Sequence, residues 1–359
     1  MRLISPLLKH VVYPGFSKSG YLRQLETKGP ATLTYHGALP EDYAVADERL
    51  DGNLVSARQL RSQLRFLKEQ YELISPEDFQ GWCLGKISLP PRALLLTCDD
   101  GLRNNLTVML PVFREFDVKC LFFVTSACTQ PEGSILWHER LQLQFLCAAG
   151  SFTLHLPELG INAHVRGEPA KFGLGRELME ALSSQPADVR DSILQEVRRQ
   201  LGLSEAWISP YERESTRIER FQTMGIAELR RLADAGMSIG AHTVSHPNLA
   251  RLSDLSARTE IQSNREALSR TLGAEIWALA YPFGGASAVS AREIALAEQS
   301  GFTCAFLNVA DRAENDGSLF ALPRTHVTGR MSLAEIDARI SGLHGLLKRW
   351  PTLLGTIQG

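Results

Sequence analysis

Two adjacent carboxylates, Asp99 and Asp100, stand at the end of a short apolar run, Leu94–Cys98, and are closed off by Gly101. Ionised carboxylates at the tip of a buried strand are costly unless something pairs them, and a metal ion is the usual partner. Far along the chain, His242 and His246 lie four residues apart in His-Thr-Val-Ser-His-Pro. If that segment makes a helical turn, both imidazoles face one way and can share an ion. Alone, such a pair reads as two solvated histidines at a helix N-terminus; the upstream acid pair shifts the weight to an ion site. Two histidines and one carboxylate leave positions open on a metal, the mark of a catalytic rather than a structural site. The second carboxylate could then act as a base on metal-bound water.

The elements around these residues explain why they would meet. His36 follows the run Ala31–Tyr35, Tyr281–Gly284 follows Ile276–Ala280, and Arg324 and His326 lie in Leu322–Val327. In folds with parallel strands, reactive groups gather at the C-terminal strand ends. Ser56 with Gln59, Ser290 with Glu293 and Ser332 with Glu335 have capping-box spacing and mark helix starts. Strands alternating with helices predict a parallel α/β sheet, open or closed. From about Ser126 to Thr223 that alternation lapses. A helix over Ile135–Cys147, a hairpin over Phe152–Val165 and a charged amphipathic helix over Ala187–Leu201 are expected there, as an insertion without a core of its own.

Composition bounds the rest. The 359 residues are 44% hydrophobic and 22% charged, which suits one large soluble domain or two smaller ones. A formal charge of −2 gives no footprint for nucleic acid. Six cysteines without a CxxC pair predict reduced, mostly buried thiols. Lys9 and His10 interrupt the apolar N-terminus, so no secretory h-region is expected, and no stretch is long enough to cross a membrane. The expectation is a cytoplasmic protein. Leu3–Val12 is read as a helix docked on the domain, with peripheral contact to a membrane surface as its other reading.

Thr97-Cys98-Asp99-Asp100-Gly101 resembles the TFDDG motif of the polysaccharide deacetylases, the NodB-homology group of carbohydrate esterases. His242-Thr243-Val244-Ser245-His246 resembles their H[ST]xxH motif, and Tyr281-Pro282-Phe283-Gly284 their third motif. The resemblance covers roughly 30–126 and 223–330. It implies a distorted (β/α) barrel of about seven strands. The chain then divides into an N-terminal extension (1–30), two barrel parts (31–126 and 223–330), an insertion that sets specificity (127–222) and a C-terminal helix (331–359). It further implies Asp100, His242 and His246 as ligands of a divalent metal, zinc in most of the family, with cobalt or nickel as alternatives. Asp99 would be the general base on metal-bound water attacking an N-acetyl carbonyl. The metal and the backbone N–H of Phe283 would stabilise the oxyanion.

Two departures from the pattern matter. The arginine that normally orients the base is replaced by Ala280, and Arg324 is the expected substitute. The late Leu-x-His motif is unclear. Tyr35-His36 resembles the Tyr-His of a circularly shifted branch similar to poly-N-acetylglucosamine deacetylases, so His36 is expected as the general acid, with His326 as the alternative. Tyr281 is a candidate substrate contact. Trp137 is read as a packing residue or as a platform for a sugar ring. The expected activity is removal of N-acetyl groups from an amino sugar in a polysaccharide, oligosaccharide or glycan precursor. The competing readings are a cyclic imide or ureide hydrolase on the same fold and a catalytically silent glycan-binding protein.

Overall fold

The computed structural model describes residues 7–24, 29–44, 48–285, 287–309 and 318–347. The start of the expected N-terminal helix and the last part of the expected C-terminal helix lie outside these residues. The strands are β1 (Ala31–Tyr35), β2 (Ala38–Leu39), β3 (Val55–Ser56), β4 (Glu72–Leu73), β5 (Ala93–Cys98), β6 (Leu121–Val124), β7 (Ser151–Leu156), β8 (Ile161–Arg166), β9 (Ser238–Ala241), β10 (Ala278–Ala280), β11 (Cys304–Phe306) and β12 (Thr325–His326). The main sheet runs β11-β10-β9-β6-β5-β1-β12, with β4 beside β5, and its pairings are parallel. A single parallel bridge from Phe306 to Leu322 draws the chain entering β12 against β11, so the two edges of the sheet approach. The result is the curled, seven-stranded half-barrel that the alternation and the resemblance implied.

Burial explains why β5 reads as a continuous apolar run: all six of its residues are buried. Leu94, Leu96 and Cys98 join a cluster with Leu60, Leu64 and Leu67 of the helix Ala57–Gln70. Ala93 and Leu95 join the other face, with Phe123, Ala280 and Phe306. The helix Ala57–Gln70 starts with both halves of its capping box, Gln59 N–H on Ser56 Oγ at 3.1 Å and Ser56 N–H on Gln59 Oε1 at 2.8 Å. At Ser332 only one half forms, because Glu335 is engaged by Lys9 and Arg339 instead.

At the N-terminus, Tyr13 and Leu8 pack on Ala338 and Leu343, docking this segment on the C-terminal helix. Four cysteines are buried, Cys83 is half-buried and Cys147 is exposed; none forms a disulfide. Among the described residues no helix is long and apolar enough to cross a membrane.

The excursion after β6 corrects one expectation, since it has a core of its own. Leu141 and Phe145, Leu154 and Leu156 of the hairpin, Leu174, Leu178 and Leu182, and Ile193, Leu194 and Val197 form one buried cluster separate from the barrel. The missing piece was the helix Glu168–Leu182, whose Pro169, Gly173 and Gly175 hide its periodicity. Three helices and a hairpin each give only one narrow stripe, and the stripes make a core only when assembled.

A buried ion cluster ties this unit to the barrel. Arg220, fully buried, donates to Asp51 Oδ1 at 2.7 Å, Glu139 Oε1 at 3.0 Å and the Leu50 carbonyl at 2.8 Å. Arg220→Met would remove the buried cation that Asp51 and Glu139 share, so an equilibrium urea titration should show a loss of about 3–5 kcal/mol. A loss below about 1 kcal/mol, the range of an exposed pair, would show that the cluster is not structural.

Candidate active site

The site is built from strand ends. Asp99 N–H donates to the Tyr35 carbonyl at 2.9 Å, extending the β1–β5 ladder by one residue. The chain then turns sharply, with Asp100 at φ +76° and Gly101 at φ +73°. A Cβ at Gly101 would lie 2.6 Å from Cys128 Sγ, so glycine is required there. The turn gives the two neighbouring carboxylates different partners.

Asp99 faces Arg324. The guanidinium donates from Nη1 to Oδ1 at 2.7 Å and from Nη2 to Oδ2 at 2.6 Å, a bidentate pair with both residues buried. Arg324 is itself held by the Leu307 carbonyl at 2.9 Å and by the hydroxyls of Thr34 and Thr97 at 3.1 and 3.2 Å. Burial pushes the Asp99 carboxyl up, but the Arg324 cation beside it, with His242, holds it below its ordinary value. Arg324 therefore makes the contact to the acid that Ala280 cannot.

Asp100 faces the two histidines. Its Oδ1 lies 3.5 Å from His242 Nε2 and 3.5 Å from His246 Nε2. The three ligand atoms fall within 4.8 Å of one another, and all three residues are buried. Oδ1 has no hydrogen-bond partner among the described residues. Burial raises the Asp100 carboxyl, yet its contacts with His242 and His246 hold it well below the carboxylate range. His242 Nδ1 is 2.8 Å from the Ala280 carbonyl, which fixes the tautomer with the proton on Nδ1 and leaves Nε2 free to ligate. The main chain of His242 is set by the Val124 carbonyl at 3.1 Å and Asn264 Oδ1 at 3.0 Å.

The expected helical turn between His242 and His246 does not form. Thr243 and His246 are left-handed, at φ +67° and +56°. The imidazoles converge through this bent loop instead, with His246 N–H on Thr243 Oγ1 at 3.1 Å. Glu260 holds the loop from outside, accepting from Ser245 N–H at 2.8 Å and Ser245 Oγ at 2.7 Å. Of the six non-glycine residues with positive φ among the described residues, four are here: Asp100, Thr243, His246 and Phe283. Each such residue costs on the order of 1–3 kcal/mol and persists only where its surroundings over-determine it.

The remaining candidates divide. The His36 and His326 rings lie 4.4 Å apart near the acid pair. Burial and neighbouring His36 push His326 down to about 3. Phe283 is 40% exposed, its ring 5.2 Å from that of His246, and its backbone N–H has no partner among the described residues. Tyr281 is 1% exposed and its hydroxyl donates to the Phe320 carbonyl at 3.0 Å, so it is engaged in the wall and not open to a ligand. Trp137 is also buried, under the Arg190 guanidinium, as its reading as a packing residue expects.

Sequence reasoning missed three residues at the site. The His138 ring lies against that of His246, centroids 4.7 Å apart and planes tilted by 46°, and burial drives its imidazole down to about 3. Arg190 reaches the Ser245 carbonyl at 2.9 Å from a helix that reads as ordinary and amphipathic. Asn264 did carry a signal: it is the polar member of the buried stripe Ala257, Ile261, Asn264, Leu268.

Known proteins point the same way. Residues 213–305 match the sequence model of the polysaccharide deacetylase family. No curated protein matches significantly. Among solved structures, the Streptococcus pyogenes deacetylase PplD in complex with acetate is similar over 88% of this chain and 99% of its own, at 16% identity and TM-score 0.55. A de-N-acetylase from Aggregatibacter actinomycetemcomitans is similar over 86% of this chain and 99% of its own, at 14% identity and TM-score 0.52. IcaB from Ammonifex degensii covers 88% of this chain and 98% of its own, at 15% identity and TM-score 0.51. At such identities the likeness establishes the fold.

Proposed function

We propose that this chain belongs to the polysaccharide deacetylase family, that it hydrolyses N-acetyl groups on an amino sugar of a polysaccharide, oligosaccharide or glycan precursor, and that it does so with a divalent metal. The observation that carries this reading is the pairing of two neighbouring buried carboxylates with two different partners. Asp99 is neutralised by a fixed arginine, and Asp100 meets two imidazoles while its Oδ1 lacks a hydrogen-bond partner among the described residues. A buried carboxylate oxygen without a partner, facing two histidine Nε2 atoms, fits a cation. Asp100, His242 and His246 would hold it, zinc first, with cobalt or nickel as alternatives. When bound, it supplies Lewis-acid polarisation of the acetyl carbonyl and a lowered pKa for water.

The chain's own residues do the rest. Asp99, kept ionised by Arg324, takes a proton from the attacking water. Arg324 fixes the orientation of that carboxylate through both oxygens. The Phe283 N–H, presented by a left-handed residue, donates to the oxyanion that forms on the acetyl carbonyl. His36 gives a proton to the departing amine. His326, whose ring lies 4.4 Å from that of His36, is the alternative donor.

The test is acetate release from N-acetylglucosamine oligosaccharides by zinc-loaded protein, beside ring opening of small cyclic imides. Acetate with no imide turnover is expected. Imide turnover without acetate would replace the reading with a cyclic amidohydrolase. Binding of the oligosaccharides without either reaction would leave a glycan-binding protein.

A further inference from the structure

The excursion 127–222 meets the barrel at the His242–His246 loop, and it does so by main-chain contacts. Trp137 Nε1 donates to the His246 carbonyl at 3.0 Å. Arg190 Nη2 donates to the Ser245 carbonyl at 2.9 Å, and its guanidinium stacks on the Trp137 ring at 4.8 Å. The Ser183 carbonyl accepts from Asn248 N–H at 2.8 Å. The His138 ring lies against that of His246 at 4.7 Å. Three consecutive residues thus serve one end: Trp137 holds the His246 backbone, His138 packs on its ring, and Glu139 anchors the helix start to Arg220 and through it to Asp51.

His246 needs such support. Its backbone is left-handed, as is that of Thr243 three residues before, and neither is glycine. A loop in that state relaxes when its carbonyls are released, and relaxation would carry the imidazole away from Asp100. Among the described residues, the barrel holds the loop by hydrogen bonds at His242, through the Val124 carbonyl and Asn264, and at Val244 and Ser245, through Glu260. The side-chain donors to the Ser245 and His246 carbonyls come from the excursion.

We infer that Trp137 and Arg190 are positioning residues for His246, so that the excursion completes the metal site rather than only overhanging it. This rests on the metal-dependent reading above. Hydrogen bonds outside the ligand shell orient the ligands, and losing one such contact lowers metal affinity by about 10–100-fold. A site completed by a separately cored unit also couples that unit's folding to metal binding.

Trp137→Phe keeps the ring bulk and removes the N–H; Arg190→Met removes the other donor and keeps the stem over Trp137. Zinc affinity of the full chain would be measured by competition with a chelating dye, with the thermal midpoint of the metal-free protein as the control for folding. Both variants should bind zinc about 10–100-fold more weakly, with little change in the metal-free midpoint. Activity should return towards wild type at saturating zinc. If Trp137→Phe does not fold, Arg190→Met carries the test alone. Affinity equal to wild type in the folded variants would overturn the inference and leave the proposed function standing. A wild type that binds no zinc would overturn both.

Discussion

Asp99→Asn is expected to lower kcat/KM for acetate release by about 10²–10⁴-fold, the range for removing a positioned general base. It should leave metal content unchanged. The separation of the two carboxylates leads to this result. Asp99 is held by Arg324 through both oxygens, while Asp100 faces the histidines. An amide at position 99 can still accept from one Arg324 nitrogen, but its NH2 faces the other and it cannot take a proton from water, so the thermal midpoint is measured beside activity to separate lost chemistry from lost stability. The measurement is acetate release and metal stoichiometry on the same preparation. Loss of both together would move Asp99 into the metal site. Retention of full activity would remove it from the reaction.

Arg324→Met should act on stability and on pH dependence at once. The arginine is fully buried against a fully enclosed carboxylate, and removing one partner of such a pair typically costs about 3–5 kcal/mol. The sign of the pH effect follows from the direction of the shift. In the wild type the Asp99 carboxyl lies below its ordinary value, because the Arg324 cation outweighs burial. Its contribution to stability is therefore present above the ordinary aspartate range and fades as pH falls through the native value. Without that cation, burial is opposed by the neighbouring histidines alone and the carboxyl rises. The variant should lose most stability near neutral pH, and its gap from wild type should narrow in acid. The acid limb of the kcat/KM profile should move upward by the same cause. A profile unchanged in position, with stability within about 1 kcal/mol of wild type, would mean that Arg324 does not set the protonation of Asp99.

The strands were legible because a parallel sheet covered on both faces writes continuous apolar runs, as at Leu94–Cys98 and Leu121–Val124. Asp99 and Asp100 follow β5 and His242 follows β9, and parallel strands bring those ends together, while Arg324 reaches Asp99 from the start of β12. What the sequence hid was contact made by main chain or across long separations. Nothing local marks Arg190 as a donor to the Ser245 carbonyl or Trp137 as a donor to the His246 carbonyl. Spacing also misled at His242 and His246. Four residues suggested a helical turn, whereas left-handed residues at Thr243 and His246 bring the rings to the same oxygen. Tyr281 shows the limit of reading a motif by type, since its hydroxyl is taken up by the Phe320 carbonyl. The excursion's core was hidden because its helix Glu168–Leu182 carries two internal glycines and a proline at its start.

Metal content of the purified chain, wild type beside Asp100→Asn, tests the central claim most directly. Asp100 supplies the one carboxylate of the three converging ligands, and its Oδ1 lies 3.5 Å from both histidine Nε2 atoms. The account predicts close to one zinc, or a similar divalent ion, per wild-type chain and far less in the variant. A wild type that stays empty after incubation with zinc, cobalt and nickel would contradict it.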